Sequence, residues 1–229
     1  MARKAKIDNS ILKRFYKETV ERKKETRTKK LYYLVVCEGI KTEPNYFEGL
    51  KKEIPKGKLH SNNLEIGGTG KNTLSIIKET IKISKKIQME KSIVFDEIWV
   101  VFDKDSFPDV NFNNAISKAK SYKNMRCAWS NQAFELWYLL HFQFVNTAID
   151  RDVYKSYLER EINRVSKIEF KYEKNRPDMY DILKEYGNQL QAIKWARKLV
   201  GQYQDEDYAS QNPCTFVHEL VDKLINKSC

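Results

Sequence analysis

Two apolar runs, each ending in acidic residues, constrain this chain more than any other feature. The first is Leu31-Tyr-Tyr-Leu-Val-Val-Cys37, followed by Glu38-Gly39; the second is Glu97-Ile-Trp-Val-Val-Phe102, followed by Asp103-Lys-Asp105. Continuous runs of this length, rich in Val and aromatics, suit parallel strands covered on both faces. Open α/β sheets bind their ligands outside the carboxyl ends of the strands, which is where Glu38, Asp103 and Asp105 are expected to stand. Asp103 and Asp105 are two residues apart, so on an extended chain both side chains point the same way and can share one cation. Three gathered carboxylates repel one another unless something positive sits among them. A hard, oxygen-seeking ion such as Mg²⁺ or Mn²⁺ is the natural candidate.

The rest of the pattern supplies the alternation that such strands need. After the first strand, a helix is expected from near Pro44 through Tyr46, Phe47 and Leu50, then a strand over Asn62 to Ile66. Gly67-Gly-Thr-Gly70 turns the chain into a helix from Asn72 to about Met89, and the strand Glu97 to Phe102 follows. A helix over Asn111 to Lys123 and a strand over Met125 to Ser130 complete a βαβαβαβ order. Strands alternating with helices predict an α/β core with a mainly parallel four-stranded sheet flanked by helices. From Asn131 onward the pattern is helical. Gln132 to Phe142 is apolar nearly all round and should be buried, and 151–168, 178–201 and 213–226 read as further helices, with Asn212-Pro213 starting the last. The expected division is a basic arm over 1–30, an α/β core over 31–142 and a helical region over 143–229 packed on that core.

Charge is concentrated where this division begins. Residues 1–30 hold 12 Lys or Arg against 4 Asp or Glu, a net +8 out of the chain's +11. Leu12, Phe15, Tyr16 and Val20 recur at near-helical spacing, so Ile11 to Thr26 could present Arg14, Lys17, Lys23 and Lys24 to a polyanion, and nucleic acid is the commonest intracellular one. The alternative is a solvated leader that aids solubility. No stretch approaches the roughly 18 apolar residues of a membrane span, and no apolar signal core precedes the arm, so a cytoplasmic protein without a membrane partner is expected. Cys37, Cys127, Cys214 and Cys229 show no CxxC spacing and only three histidines are present, which argues against a Cys/His zinc site.

Further candidates flank the strand tips. Glu135 lies in an otherwise apolar helix, where an unpaired acid costs several kcal/mol, so it should face the carboxylate cluster or a buried Arg. His141, six residues later, falls on a different helical face and reads as a packed, hydrogen-bonded histidine. Lys41 and Lys104 stand beside the acids and could steer a phosphate backbone. Gly67-Gly-Thr-Gly-Lys71 is not a Walker A loop, because Glu65 stands where Gly is needed and Asn72 where Ser or Thr should follow the Lys. It reads as a tight strand-to-helix turn whose amides and Lys71 could touch a substrate phosphate.

Four linked motifs are familiar as a set: Val36-Cys-Glu38-Gly-Ile-Lys-Thr-Glu43-Pro-Asn-Tyr-Phe47, Val101-Phe-Asp103-Lys-Asp105, Ser130-Asn-Gln-Ala-Phe-Glu135-Leu-Trp-Tyr-Leu-Leu-His141-Phe and Asn212-Pro-Cys-Thr215. Together, from about residue 30 to the end, they resemble the RloB-like family, which looks like a variant of the Toprim fold of topoisomerases, primases and OLD-type nucleases. The resemblance implies that Glu38-Gly39 is the Glu-Gly after the first strand and Asp103-Lys104-Asp105 the Asp-x-Asp after the third. It thus implies a Toprim-like catalytic core over 31–142 that binds Mg²⁺ or Mn²⁺ through Asp103 and Asp105, with Glu38 as a ligand or as general base or acid. In the related OLD-type enzymes a further acid soon after the Glu-Gly joins the metal shell. Glu43 could play that part, or serve only as a favourable charge at a helix N-terminus. The family's links to phage-defence and restriction loci imply an effector nuclease acting on RNA, possibly tRNA, or DNA, with an ATPase encoded nearby as partner. Two alternatives stand beside this reading. One is a non-catalytic nucleic-acid-binding or regulatory partner of such an ATPase; the other, a haloacid-dehalogenase-type enzyme, normally carries Asp-x-Asp after the first strand instead.

Overall fold

The computed structural model describes residues 31–54, 64–68, 73–105, 107–167 and 169–226. The basic arm with Arg14, Lys17, Lys23 and Lys24, and the turn holding Lys71, lie outside the described residues.

Strands β1 (Tyr33–Cys37), β2 (Leu64–Gly68), β3 (Glu97–Asp103) and β4 (Met125–Asn131) run parallel in the order β2-β1-β3-β4. They are joined through helices α1 (Thr42–Glu53), α2 (Thr73–Lys91) and α3 (Asp109–Lys120). Successive side chains of a strand point to opposite faces, so each apolar run feeds two cores at once. Tyr33, Val35, Cys37, Trp99 and Val101 pack with Tyr46, Phe47 and Leu50 of α1. Leu34, Val36, Ile98, Val100 and Phe102 pack on the other face with Ile76 and Ile77 of α2 and with Phe112 and Ile116 of α3. The chain passes from β1 outward to β2, then returns to the far side of β1 for β3. Strand order therefore reverses between β1 and β3, and the loops leaving these two strands diverge around a crevice.

The remaining elements are α4 (Glu135–Leu139), a 3₁₀ turn (Arg151–Val153), α5 (Tyr154–Ser166), α6 (Met179–Tyr186), α7 (Gln189–Val200), β5 (Cys214–Thr215) and α8 (Val217–Asn226). Leu136, Leu158, Ile162, Leu183, Leu199, Leu220 and Leu224 from these helices join the α1-side core. The helices thus close over one face of the sheet, beside the crevice.

Three expectations are corrected. The sheet has five strands instead of four, because β5 pairs antiparallel with β4 at Ser130–Thr215 and Asn131–Cys214. Asn212-Pro213 accordingly leads into a strand and not a helix; β4 would otherwise leave that edge unpaired, and the Phe216 N–H also donates to Trp129 O (2.8 Å). The single helix expected over 178–201 is two. Gly187 sits against His141, where an added Cβ would lie 2.8 Å from the His141 Cβ, and the Asn188 side chain then caps α7 by accepting from the Gln191 N–H (2.9 Å). The buried helix expected over Gln132 to Phe142 is regular only in the five residues of α4, with turns on either side.

Candidate metal centre at the tips of β1 and β3

Register brings the first two acids together. Cys37 is level with Val101, so Glu38 follows alongside Phe102; its N–H donates to Val101 O (2.8 Å), and its Oε2 accepts from the Asp103 N–H (3.3 Å). Asp103 shares the strand face of Trp99 and Val101, which is the side covered by α1 and α4. There the first turn of α1 supplies Glu43 and the start of α4 supplies Glu135, both buried. The Glu43 carboxylate lies against Gly39 in the space a Cβ would fill and accepts from its N–H. Glycine after Glu38 therefore has a spatial reason. Tyr172 completes this wall, its hydroxyl donating to Glu135 Oε1 (2.8 Å).

The electrostatics are those of acids forced together. Burial, and then the charges of Glu43, Glu135 and Glu38, hold the Asp103 carboxyl well above its ordinary range. Its Oδ1 is buried and has no hydrogen-bond partner among the described residues. Glu43 is raised by burial and by Glu135. Glu38 is pushed up to about 7, chiefly by burial and further by Glu43 and Asp105, against the lowering effects of the Asp103 N–H and Arg151.

Five carboxylates, Glu38, Glu43, Asp103, Asp105 and Glu135, line one open cavity of about 430 Å³, with Arg151 and Lys174 as the cations of its lining. As the side chains stand, no three His, Cys, Asp or Glu groups among the described residues are spaced to hold a metal ion. The donor set nevertheless fits a hard cation, because it is all oxygen and includes a buried carboxylate oxygen with no partner among the described residues. Asp103, Glu43 and Glu135 are the residues that would hold it, with Glu38 beside them as a further ligand or as general base or acid.

Asp105 departs from expectation. The chain does not stay extended past Asp103; Asp105 adopts a left-handed φ of 43°, donates its N–H to Gln132 O (3.0 Å), and pairs its carboxylate with Arg151. It shares the cavity with Asp103 but is already neutralised. Lys104 is not brought to the cavity: strand alternation sends its side chain to the opposite face, where it is buried, donates to Phe107 O (2.6 Å) and pairs with Asp109 at the start of α3 (3.0 Å). Lys41 is exposed just ahead of α1, between two residues that line the cavity, Ile40 and Thr42. His141 is buried, with Nδ1 on Trp137 O (2.9 Å), and burial pushes it down to about 4. Sequence reasoning missed Arg151, Tyr172 and Lys174. Arg151 lies 46 residues from the acid it pairs with, and nothing local marks it.

Fold and site define an α/β protein whose mainly parallel sheet carries an acidic crevice at the point where its strand order reverses. The chain belongs to the RloB-like family: the family model described as "RloB-like protein" matches residues 33–224, which includes every side chain of this cavity. No curated protein and no solved structure matched the chain. No helix among the described residues is long and apolar enough to cross a membrane.

Proposed function

We propose that this protein is a metal-dependent phosphodiester hydrolase, an endonuclease built on a Toprim-like core that serves a cytoplasmic phage-defence or restriction-linked system beside an ATPase. The reading rests on one observation above all: Asp103, whose buried Oδ1 has no partner among the described residues, meets Glu38 from the adjacent strand end and Glu43 and Glu135 from the starts of α1 and α4. A cation there relieves the mutual repulsion that the protein alone leaves standing. Bound Mg²⁺ or Mn²⁺ would supply charge neutralisation for the phosphate oxygens and a more acidic water.

The chain's own residues take the remaining roles. Asp103, Glu43 and Glu135 would hold the ion. Glu38, raised to about 7 by burial in the ion-free site, stands beside the other acids where it can take the proton of the attacking water or return one to the leaving alkoxide. Tyr172 orients Glu135 through its hydroxyl. Water oxygen bonds to phosphorus, the P–O bond to the leaving sugar breaks, and the proton passes through Glu38.

The test is incubation of the full chain, with and without the neighbouring ATPase, with tRNA and with single-stranded and duplex RNA and DNA in Mg²⁺ or Mn²⁺. Cleavage by wild type and none by Asp103→Asn or Glu38→Gln is the expected result. Cleavage surviving both substitutions places the active site elsewhere.

A further inference from the structure

We propose that Arg151 is a substrate-contacting residue of this site, a phosphate ligand that Asp105 holds in reserve until a nucleic-acid backbone takes its place; the inference rests on the phosphodiester reading above. The cavity lining sets five carboxylates against two cations, Arg151 and Lys174. A polyanion entering such a cavity needs a positive group, and Arg151 is held in place by the fold. Gln132 anchors both halves of the pair: its side-chain Oε1 accepts from the Arg151 N–H (3.1 Å), and its backbone O accepts from the Asp105 N–H (3.0 Å). Backbones are thus held while both side chains stay about one-third exposed, at 34% and 35%.

Only Nη1 of the guanidinium engages Asp105; Nε and Nη2 have no hydrogen-bond partner among the described residues. An edge with two parallel N–H donors therefore remains for a phosphate. A phosphodiester offers the same pair of acceptor oxygens as a carboxylate, so Arg151 can exchange Asp105 for phosphate without passing through an unpaired state. The released Asp105 is exposed enough to be solvated. Arg151 also lies within the field of the metal-site acids, since the charges of Asp103 and Glu135 act on it and its own charge acts on Glu38. A phosphate bound there would lie in the same cavity as the Glu38 carboxyl and the acids that would hold the ion.

The experiment measures anisotropy of a fluorescein-labelled single-stranded RNA oligonucleotide with the full chain, in EDTA and in Ca²⁺, over a salt series. Arg151→Ala is expected to weaken binding about tenfold. It should also flatten the slope of log Kd against log salt by about one. Arg151→Lys keeps the slope but loses part of the affinity, and Asp105→Asn, which frees the guanidinium, tightens binding. Mn²⁺ uptake by calorimetry should persist in Arg151→Ala. Unchanged affinity and slope in Arg151→Ala overturn the proposal. So does Asp105→Asn weakening the oligonucleotide as much as Arg151→Ala, or Arg151→Ala losing Mn²⁺ uptake, because either marks a purely structural pair. A wild type that binds RNA through Arg151 and cleaves nothing in Mg²⁺ or Mn²⁺ defeats the hydrolase reading and leaves this one standing.

Discussion

Buried polar groups gather in two parts of this molecule and are treated in opposite ways. Where β4 and β5 pair, the buried side chains meet partners: Ser130 Oγ and Thr215 Oγ1 are 2.9 Å apart, Asn131 Nδ2 donates to Ala209 O (2.8 Å), and His218 Nδ1 lies 3.0 Å from Thr215 O. Asn212 Oδ1, just ahead of β5, is the exception, with no partner among the described residues. Burial pushes His218 down to about 4, so it stays neutral and adds no charge. At the tips of β1 and β3, a few residues away along the same sheet, carboxylates face carboxylates, and an Asp103 oxygen has no partner among the described residues. The first region satisfies all but one of these groups internally and so contributes stability. The second does not, and native chains keep such frustration where a ligand completes the site.

The strongest way to break this contrast is Asp103→Asn. It should abolish Mn²⁺ uptake in calorimetry and lower any cleavage rate about a hundred- to thousandfold, with the circular dichroism spectrum unchanged. Ser130→Ala probes the other region and should do the reverse. It leaves the buried Thr215 hydroxyl with only the Val217 N–H (3.3 Å) as partner, at a cost of about 1 kcal/mol in urea unfolding, and Mn²⁺ affinity should not move. Loss of metal binding in Ser130→Ala would show that the two regions are not separate.

Tyr172→Phe removes the hydroxyl that orients Glu135, so Mn²⁺ should bind about tenfold more weakly while the melting temperature changes little. The smallest effect is a pH dependence. Glu38 keeps its proton in the folded chain up to about 7, whereas the unfolded chain loses it near 4.5. The folded state therefore binds more protons in that window, and the group's contribution makes stability fall as pH rises through it. In metal-free thermal melts, Glu38→Gln should gain on wild type between these two pH values, by a few degrees at most, and Mn²⁺ should close the gap. A gap that is constant with pH would mean that Glu38 does not titrate there.

How much of this was legible beforehand depended on the range of each signal. Continuous apolar runs declared β1 and β3, and because both faces of the sheet are covered, the reading of parallel strands in an α/β fold holds. Glu135 stood out because an acid among apolar neighbours is costly wherever it lies. Asp105 reaches the cavity of Asp103 as expected, but not by an extended chain: the strand ends at Asp103 and the next residues turn, which strand alternation cannot foresee. The same alternation, applied one residue further, accounts for Lys104 turning away from the site. β5 escaped notice because two residues carry no period. The break between α6 and α7 was hidden because its cause, His141, sits far off in sequence.

By itself, the sequence determined which segments must be buried on both faces and that acids stand just beyond two of them, since strand periodicity is written in neighbouring residues. Only the tertiary structure decided that β1 and β3 lie side by side with Glu38 alongside Phe102, and that Glu43, Glu135 and Tyr172 close around Asp103 while Arg151 takes Asp105. Those pairings depend on strand register and helix packing across long stretches of chain, and no local pattern encodes which distant residue a buried charge will meet.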